Sequence, residues 1–278
     1  MLVNLNEVLP QASAGGYAVG AFNGYNLVTF QGTIEAAAEV DAPVIVAFGA
    51  KYLNNMDFDT AYAIVNTLAN KVNIPVVLHL DHCSNIETIE AAIKAGFTSV
   101  MYDGSKLSYK ENLENTSKVV AFAHKHGVSV EAELGSIAAG ENSHEGSADD
   151  VELFTDPDVA EDFVNQTGVD ALAVSIGTVH GVYQGEPNLR LDILEAINEA
   201  VDIPLVLHGG SGLSQDEMKA CIERGITKVN VNTEISNHTV SSTKGLLANE
   251  EPHFSELTLA QKDFVEDIVE KYIKYFNA

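Results

Sequence analysis

The sequence predicts an α/β protein built as a closed (β/α)8 barrel with an additional C-terminal helix. Three observations point there. Eight short β-rich runs recur from end to end, and most are continuously apolar, as parallel strands covered on both faces should be. Stretches of helical periodicity separate them. The length, 278 residues, fits one large α/β domain spanning 1–278 better than two average ones.

The expected strands are Tyr17–Phe22, Pro43–Gly49, Pro75–Leu80, Ser99–Tyr102, Val128–Leu134, Ala171–Ile176, Pro204–His208 and Thr227–Val231. Helical patterns between them include Ile86–Ala95, Tyr109–His126, Asp158–Thr167, Leu191–Ala200 and Asp216–Arg224. Asp or Asn often precedes these segments, and Gly96, Gly127, Gly168 and Gly225 follow four of them, the positions of N-caps and C-terminal glycines. The stretch Leu257–Phe276 reads as a further amphipathic helix, a plausible subunit contact. Strand order is not written in the pattern, so an open doubly wound sheet shares the same alternation. Gly135–Pro157 and Thr178–Asn188 exceed ordinary connections and suggest loops with a job at the site.

Composition narrows the partners. The formal net charge is -25, from 40 acidic and 15 basic residues. Such a surface repels nucleic acid and anionic lipid, so neither is expected as a partner. An anionic substrate would have to be held locally, by backbone N–H groups, helix N-termini or a metal. Hydrophobic residues make up 46% of the chain, with mean hydropathy +0.04, and no apolar run approaches the length of a membrane span. The first ten residues lack the basic region of a signal peptide. Two cysteines, Cys83 and Cys221, point to a reducing compartment, with cytoplasm the default.

Reactive side chains collect where the strands end. The third strand runs into His79-Leu80-Asp81-His82, the fourth into Asp103, and the fifth holds Glu131 and Glu133. Later strands run into His180, into His208-Gly209-Gly210-Ser211, and into Asn230-Val231-Asn232-Thr233. In a barrel all these ends meet at one rim, where such enzymes place their chemistry. Three imidazoles, His82, His180 and His208, suit a catalytic zinc with open positions, although cobalt, iron or nickel accept the same donors. Adjacent strand residues face opposite ways, so Asp81 joins His82 only if the chain turns there. Asp81 is then the acid/base, or a carboxylate that merely orients a histidine. The carboxylates of Asp103, Glu131 and Glu133 at one mouth call for a cation. The glycines after His208 let backbone approach a ligand ahead of a helix, a common phosphate site of this architecture.

With these residues in place, the chain resembles the class II, metal-dependent ketose-bisphosphate aldolases, the fructose- and tagatose-bisphosphate enzymes. The resemblance runs from Gly16-Tyr17-Ala18-Val19-Gly20-Ala21-Phe22-Asn23 to Asn230-Val231-Asn232-Thr233-Glu234. It includes Gly96-Phe97-Thr98-Ser99-Val100-Met101, Val128-Ser129-Val130-Glu131-Ala132-Glu133-Leu134-Gly135 and His180-Gly181-Val182-Tyr183. The resemblance implies that His82, His180 and His208 hold a catalytic Zn2+, with Asp103 and Glu133 marking a second or displaced metal position. Asp81 would carry the proton at the cleaved carbinol, and the loop residue Glu141 would assist proton transfer at the enediolate carbon. Asn23, Gly181, Gly209, Gly210, Ser211, Asn230, Val231, Asn232 and Thr233 would bind dihydroxyacetone phosphate, beside a monovalent cation such as Na+ or K+. A homodimer or homotetramer is the family habit.

Departures concern the second half of the substrate. The loop reads Ala138-Ala139-Gly140-Glu141-Asn142 where many relatives have hinge glycines. Tyr183-Gln184 stands where a Lys is common, Phe48-Gly49 where a hydroxyl is frequent, and Glu251-Pro252-His253 where many carry Asp-Pro-Arg. Weak activity on fructose 1,6-bisphosphate and a preference for another aldehyde are expected. Two other readings share the features: a metal-dependent sugar-phosphate epimerase, which needs acid and base on opposite substrate faces, and a non-catalytic sugar-phosphate-binding relative, whose signature would be loss of Asp81 or a zinc histidine.

Overall fold

A computed structural model describes residues 1–140, 143 and 153–277. The chain begins with β1 (Leu2–Val3), α1 (Leu5–Gly15), β2 (Val19–Asn23), α2 (Leu27–Glu39), β3 (Val44–Gly49), a 3-10 turn (Ala50–Asn54) and α3 (Phe58–Ala69). It continues through β4 (Val76–Cys83), α4 (Ile86–Ala95), β5 (Ser99–Tyr102), α5 (Tyr109–His124), β6 (Ser129–Leu134), β7 (Ala138–Ala139) and α6 (Pro157–Thr167). It ends with β8 (Ala171–Val174), β9 (Val179–His180), α7 (Leu191–Ala200), β10 (Leu205–Leu207), α8 (Gln215–Ile222), β11 (Ile226–Val231), α9 (Thr233–Asn249) and α10 (Phe254–Phe276). All eight expected strands are present. Helices α1, α2, α3 and α9 go beyond the patterns singled out in the sequence. Side-chain caps from Asn26, Asp57, Asn85 and Ser108 start α2 to α5, satisfying N–H groups that have no partner within the helix.

Eight parallel strands close on themselves in the order β2, β3, β4, β5, β6, β8, β10, β11 and back to β2. The pairing of β11 with β2 excludes the open doubly wound alternative. Alternate strand residues point inward. At the N-terminal end these are Val19, Ala21, Ile45, Val77, Ala171, Ala173 and Val206, and α1 plugs them with Leu5, Val8, Leu9 and Ala12. Outward residues form the larger core beneath the helices. The interior turns polar toward the C-terminal end, where His79, Ser99, Glu131, His208 and Lys228 are fully buried. This half of the barrel is a site, not filler.

The last helix closes the side of the barrel. Val265, Val269, Tyr272 and Phe276 of α10 are buried, and Ala18 N–H donates to the Phe276 carbonyl at 3.2 Å. Its approach to α2 depends on Gly32. A Cβ there would sit 2.9 Å from the Lys262 carbonyl oxygen and from Val265 Cβ, inside van der Waals contact.

Candidate metal and substrate site

The end of β4 decides the geometry. His82 has φ 41°, a left-handed conformation that is strained for a residue with a Cβ, by about 1–3 kcal/mol. The same turn interrupts the β4–β5 register between Leu80 and Cys83. It releases His82 from strand alternation, so that Asp81 and His82 both face the mouth. The condition set by the sequence is met. Asp81 accepts from Asn23 Nδ2 at 2.8 Å and from Asn230 Nδ2 at 3.0 Å.

His82, His180 and His208 converge, with a ring nitrogen from each within 4.8 Å of the others. His82 Nδ1 lies 3.0 Å from Asp103 Oδ2, and His208 Nε2 lies 2.8 Å from Glu131 Oε1. Carboxylates only accept, so those nitrogens carry the protons. The inward nitrogens, His82 Nε2 and His208 Nδ1, are 2.8 Å apart. At that distance either a proton on one nitrogen is shared with the other, or both lone pairs turn to one cation. His180 Nε2 is buried without a hydrogen-bond partner, as is Glu133 Oε2. The donor set therefore fits a divalent metal held by His82 Nε2, His180 Nε2 and His208 Nδ1.

A second group, His82, Asp103 and Glu133, meets the same 4.8 Å limit, and its charges shape the titration of the site. Burial, followed by the repulsion of Asp103, pushes the Glu133 carboxyl well above its ordinary 4.5. Burial opposes the charge on His82, but Asp81 and the hydrogen-bonded Asp103 outweigh it and raise the imidazole to about 10. Burial would also raise Asp81. The positive charges of His82, His208 and Lys228 overcome that and hold it far below the usual carboxylate range. Burial and then the neighbouring imidazoles keep His180 well below 6.5. Asp81 is thus ionised and His180 neutral near pH 7, whereas His82 keeps its proton there and would release it on binding a metal.

Below the mouth lies a layer that sequence reasoning did not resolve. Glu131, a residue open to a solvated-rim reading, is fully buried, with Lys228 Nζ 2.7 Å from its Oε2. His79 Nδ1 pairs with Ser99 Oγ at 2.8 Å, and burial lowers its pKa to about 4. Lys228 was not anticipated. Its signal was available: alternate residues of Thr227–Val231 make Lys228 and Asn230 co-facial.

The expected phosphate residues divide. A cavity of ≈ 350 Å³ is lined by Gly181, Ser211, Gly212 and Thr233, with Tyr183 and Glu234 beside them. Ser211 Oγ accepts from the N–H groups of Asn232 and Glu234 at 3.2 and 3.3 Å, at the start of α9. Gly209 has φ 70°, and a Cβ there would meet the Val179 carbonyl oxygen at 2.3 Å, so only glycine fits where β10 leaves the barrel. Tyr183 donates from its hydroxyl to the Gly209 carbonyl at 2.9 Å. Gly210 N–H donates to the Asn230 carbonyl at 3.0 Å, and Asn232 Nδ2 to Tyr52 Oη at 3.1 Å. Val231 stands apart from its polar neighbours. Its side chain is buried in the apolar layer under the helices, because β11 alternation turns it away from the mouth, leaving only backbone for a ligand.

The two long connections meet each other. β7 pairs in parallel with β9, Ala139 opposite His180, and Gly140 N–H donates to the His180 carbonyl at 2.6 Å. Ser136 and Leu153 exchange two backbone hydrogen bonds of 2.9 Å across the base of the first connection. Its stem is therefore fixed against His180. Glu141 lies outside the described residues. The stretch Glu251-Pro252-His253 leads into α10, where His253 acts as the N-cap.

Comparison with known proteins bears on the whole chain. The family model for "Fructose-bisphosphate aldolase class-II" matches residues 3–278. A "Probable fructose-bisphosphate aldolase" of Bacillus subtilis (strain 168) is 44% identical over 254 residues, covering 88% of this chain and 85% of that one. A "Fructose-bisphosphate aldolase" of Staphylococcus epidermidis is 42% identical over 254 residues, covering 90% and 87%. Among solved structures, the YdjI aldolase from Escherichia coli K12 superposes with a TM-score of 0.89 at 35% identity, covering 99% of this chain and 97% of that one.

Proposed function

Since this chain belongs to the class II fructose-bisphosphate aldolase family, and is by that an aldehyde-lyase, we propose that it reversibly cleaves a ketose 1-phosphate or ketose bisphosphate to dihydroxyacetone phosphate and an aldehyde. The observation that carries this reading is the convergence of His82, His180 and His208 beside an ionised Asp81.

His82 Nε2, His180 Nε2 and His208 Nδ1 would hold Zn2+, with His82, Asp103 and Glu133 as an alternate position. When bound, the zinc supplies Lewis-acid stabilisation of the negative charge that develops as the carbon–carbon bond breaks. Asp81 takes the hydroxyl proton from the carbon that becomes the aldehyde, and returns it in condensation. Asn23 and Asn230 hold its carboxylate, at 2.8 and 3.0 Å, while leaving lone pairs for the substrate. Glu141 would move the proton at the other carbon of the cleaved bond. Ser211 and Thr233 at the start of α9, with the Gly181 and Gly209–Gly210 backbone, would receive the phosphate of dihydroxyacetone phosphate, with Na+ or K+ beside it. The buried thiols of Cys83 and Cys221 suit a cytoplasmic enzyme, and no helix among the described residues is long and apolar enough to cross a membrane.

Dihydroxyacetone phosphate release, measured by a coupled assay, should disappear with a chelator and return with zinc. Interconversion of epimeric sugar phosphates without that release would replace this reading by the epimerase one. The aldehyde half is a separate question. Glu251-Pro252-His253 supplies a helix cap where many members of the family carry an Arg for a second phosphate, so fructose 1,6-bisphosphate should be a poorer substrate than a ketose phosphate lacking that group. Equal kcat/KM across a panel of ketose phosphates would refute this preference.

A further inference from the structure

Among the described residues Lys228 is the one buried lysine. Nothing about a barrel wall calls for an ammonium there: Val206 fills the corresponding interior place on β10, its partner in the register. A buried ammonium is costly unless it is fully paired, and here each partner leads toward a reacting group. Lys228 Nζ lies 2.7 Å from Glu131 Oε2, whose other oxygen accepts from His208 Nε2 at 2.8 Å. Lys228 Nζ also donates to Asn230 Oδ1 at 2.7 Å, and the Nδ2 of that same amide donates to Asp81 at 3.0 Å.

The chemistry of the donors makes these two branches directional. An ammonium has three donors and no acceptor. Facing Lys228, the Asn230 amide must present its oxygen, which turns its NH2 group onto Asp81. Flipped, the amide would set its oxygen against the Asp81 carboxylate and its NH2 against the ammonium. On the other branch, Lys228 provides the counter-charge that fixes the Glu131 carboxylate under His208. That carboxylate holds the proton on His208 Nε2 and leaves Nδ1 facing the three-histidine centre.

We propose that Lys228 is a positioning residue for both halves of the reaction: through Glu131 it sets which nitrogen His208 offers to the metal, and through Asn230 it sets the orientation of Asp81. This rests on the aldolase reading of the same site. The arrangement gives a reason for a lysine at 0% exposure inside the barrel. It predicts that removing the ammonium loosens metal binding and turnover together.

The test uses the full-length protein, with zinc affinity measured by competition against a chromogenic chelator and kcat and KM measured at saturating zinc. Lys228→Met keeps the length of the stem and removes the charge. Lys228→Met/Glu131→Gln removes both charges, so that no uncompensated carboxylate remains buried. Both folded variants should bind zinc about 10–100-fold more weakly, the usual effect of losing a partner of a metal-binding histidine. Their kcat at saturating zinc should fall at least about tenfold, with KM changed less. A role in packing alone predicts a lower melting temperature with wild-type zinc affinity and kcat, and that result in either folded variant overturns the proposal. Failure of both variants to fold also overturns it, since Lys228 is then a structural residue. His208→Ala is the control: if zinc affinity is unchanged in His208→Ala, the metal-site reading has failed, and if only the Lys228 variants bind normally, that reading stands and the positioning role is lost.

Discussion

Single residues carry the chemistry through contrasts in environment. Asp81 and Glu133 are both buried carboxylates in one mouth, yet the first is held ionised by surrounding positive charge and the second is driven toward its neutral form by burial and then by Asp103. Only the first is equipped to accept a proton at neutral pH. Asp81→Asn keeps the shape but offers one acceptor oxygen to the two amide NH2 groups of Asn23 and Asn230, and it cannot take the proton. Turnover should fall by about 10²–10⁴-fold, the usual range for a general base, while metal analysis of the purified variant still finds zinc. A variant with wild-type kcat would move the proton-transfer role to another group.

At the scale of elements, the barrel strands bring the site together and α10 secures the element beside it. Glu234, in the first turn of α9, pairs with Lys271 Nζ at 2.9 Å, and accepts from the Tyr272 hydroxyl and, at 3.1 Å, from Gly212 N–H. Burial would raise Glu234, but the hydrogen bonds from Tyr272 and Lys271 prevail and lower it. A carboxyl depressed in the folded state stabilises above its unfolded pKa and loses that contribution as pH falls through the folded value. Wild type should therefore be more stable than Glu234→Gln above about pH 5, with the two curves converging in stronger acid. Denaturant unfolding across that range measures the difference. A gap independent of pH would show that the pair contributes by packing alone.

For the molecule as a whole, the surface is uneven. Against a net charge of -25, α9 exposes Val240 and Leu247, each 50% accessible, and α10 exposes Phe254 at 75% and Leu259 at 60%. Large apolar side chains exposed on two adjoining helices are candidates for a subunit contact. We expect sedimentation at micromolar concentration to give a homodimer or homotetramer, and Phe254→Ser/Leu259→Ser to shift it toward monomer. A wild-type monomer under those conditions would leave these residues without that role.

What the sequence could disclose follows from its periodicities. Continuous apolar runs with helices between them specified eight strands, and strand ends specified the rim, so His82, His180, His208 and Asp81 were legible as one site. Helices α1, α2 and α9 were less legible, because α1 uses its apolar face as a plug, α2 holds Gly32 between Thr29 and Thr33, and α9 holds Gly245 after Ser241, Ser242 and Thr243. That Val231 offers a ligand backbone alone was not legible, because a motif does not say which of its members faces inward. The tertiary structure alone decided barrel closure, the left-handed turn at His82, and the convergence of Glu131, Lys228 and Asn230. Local sequence sets which residues alternate along a strand. Long-range strand pairing sets which of those faces meet across the barrel, and the electrostatics of the site exist only once they do.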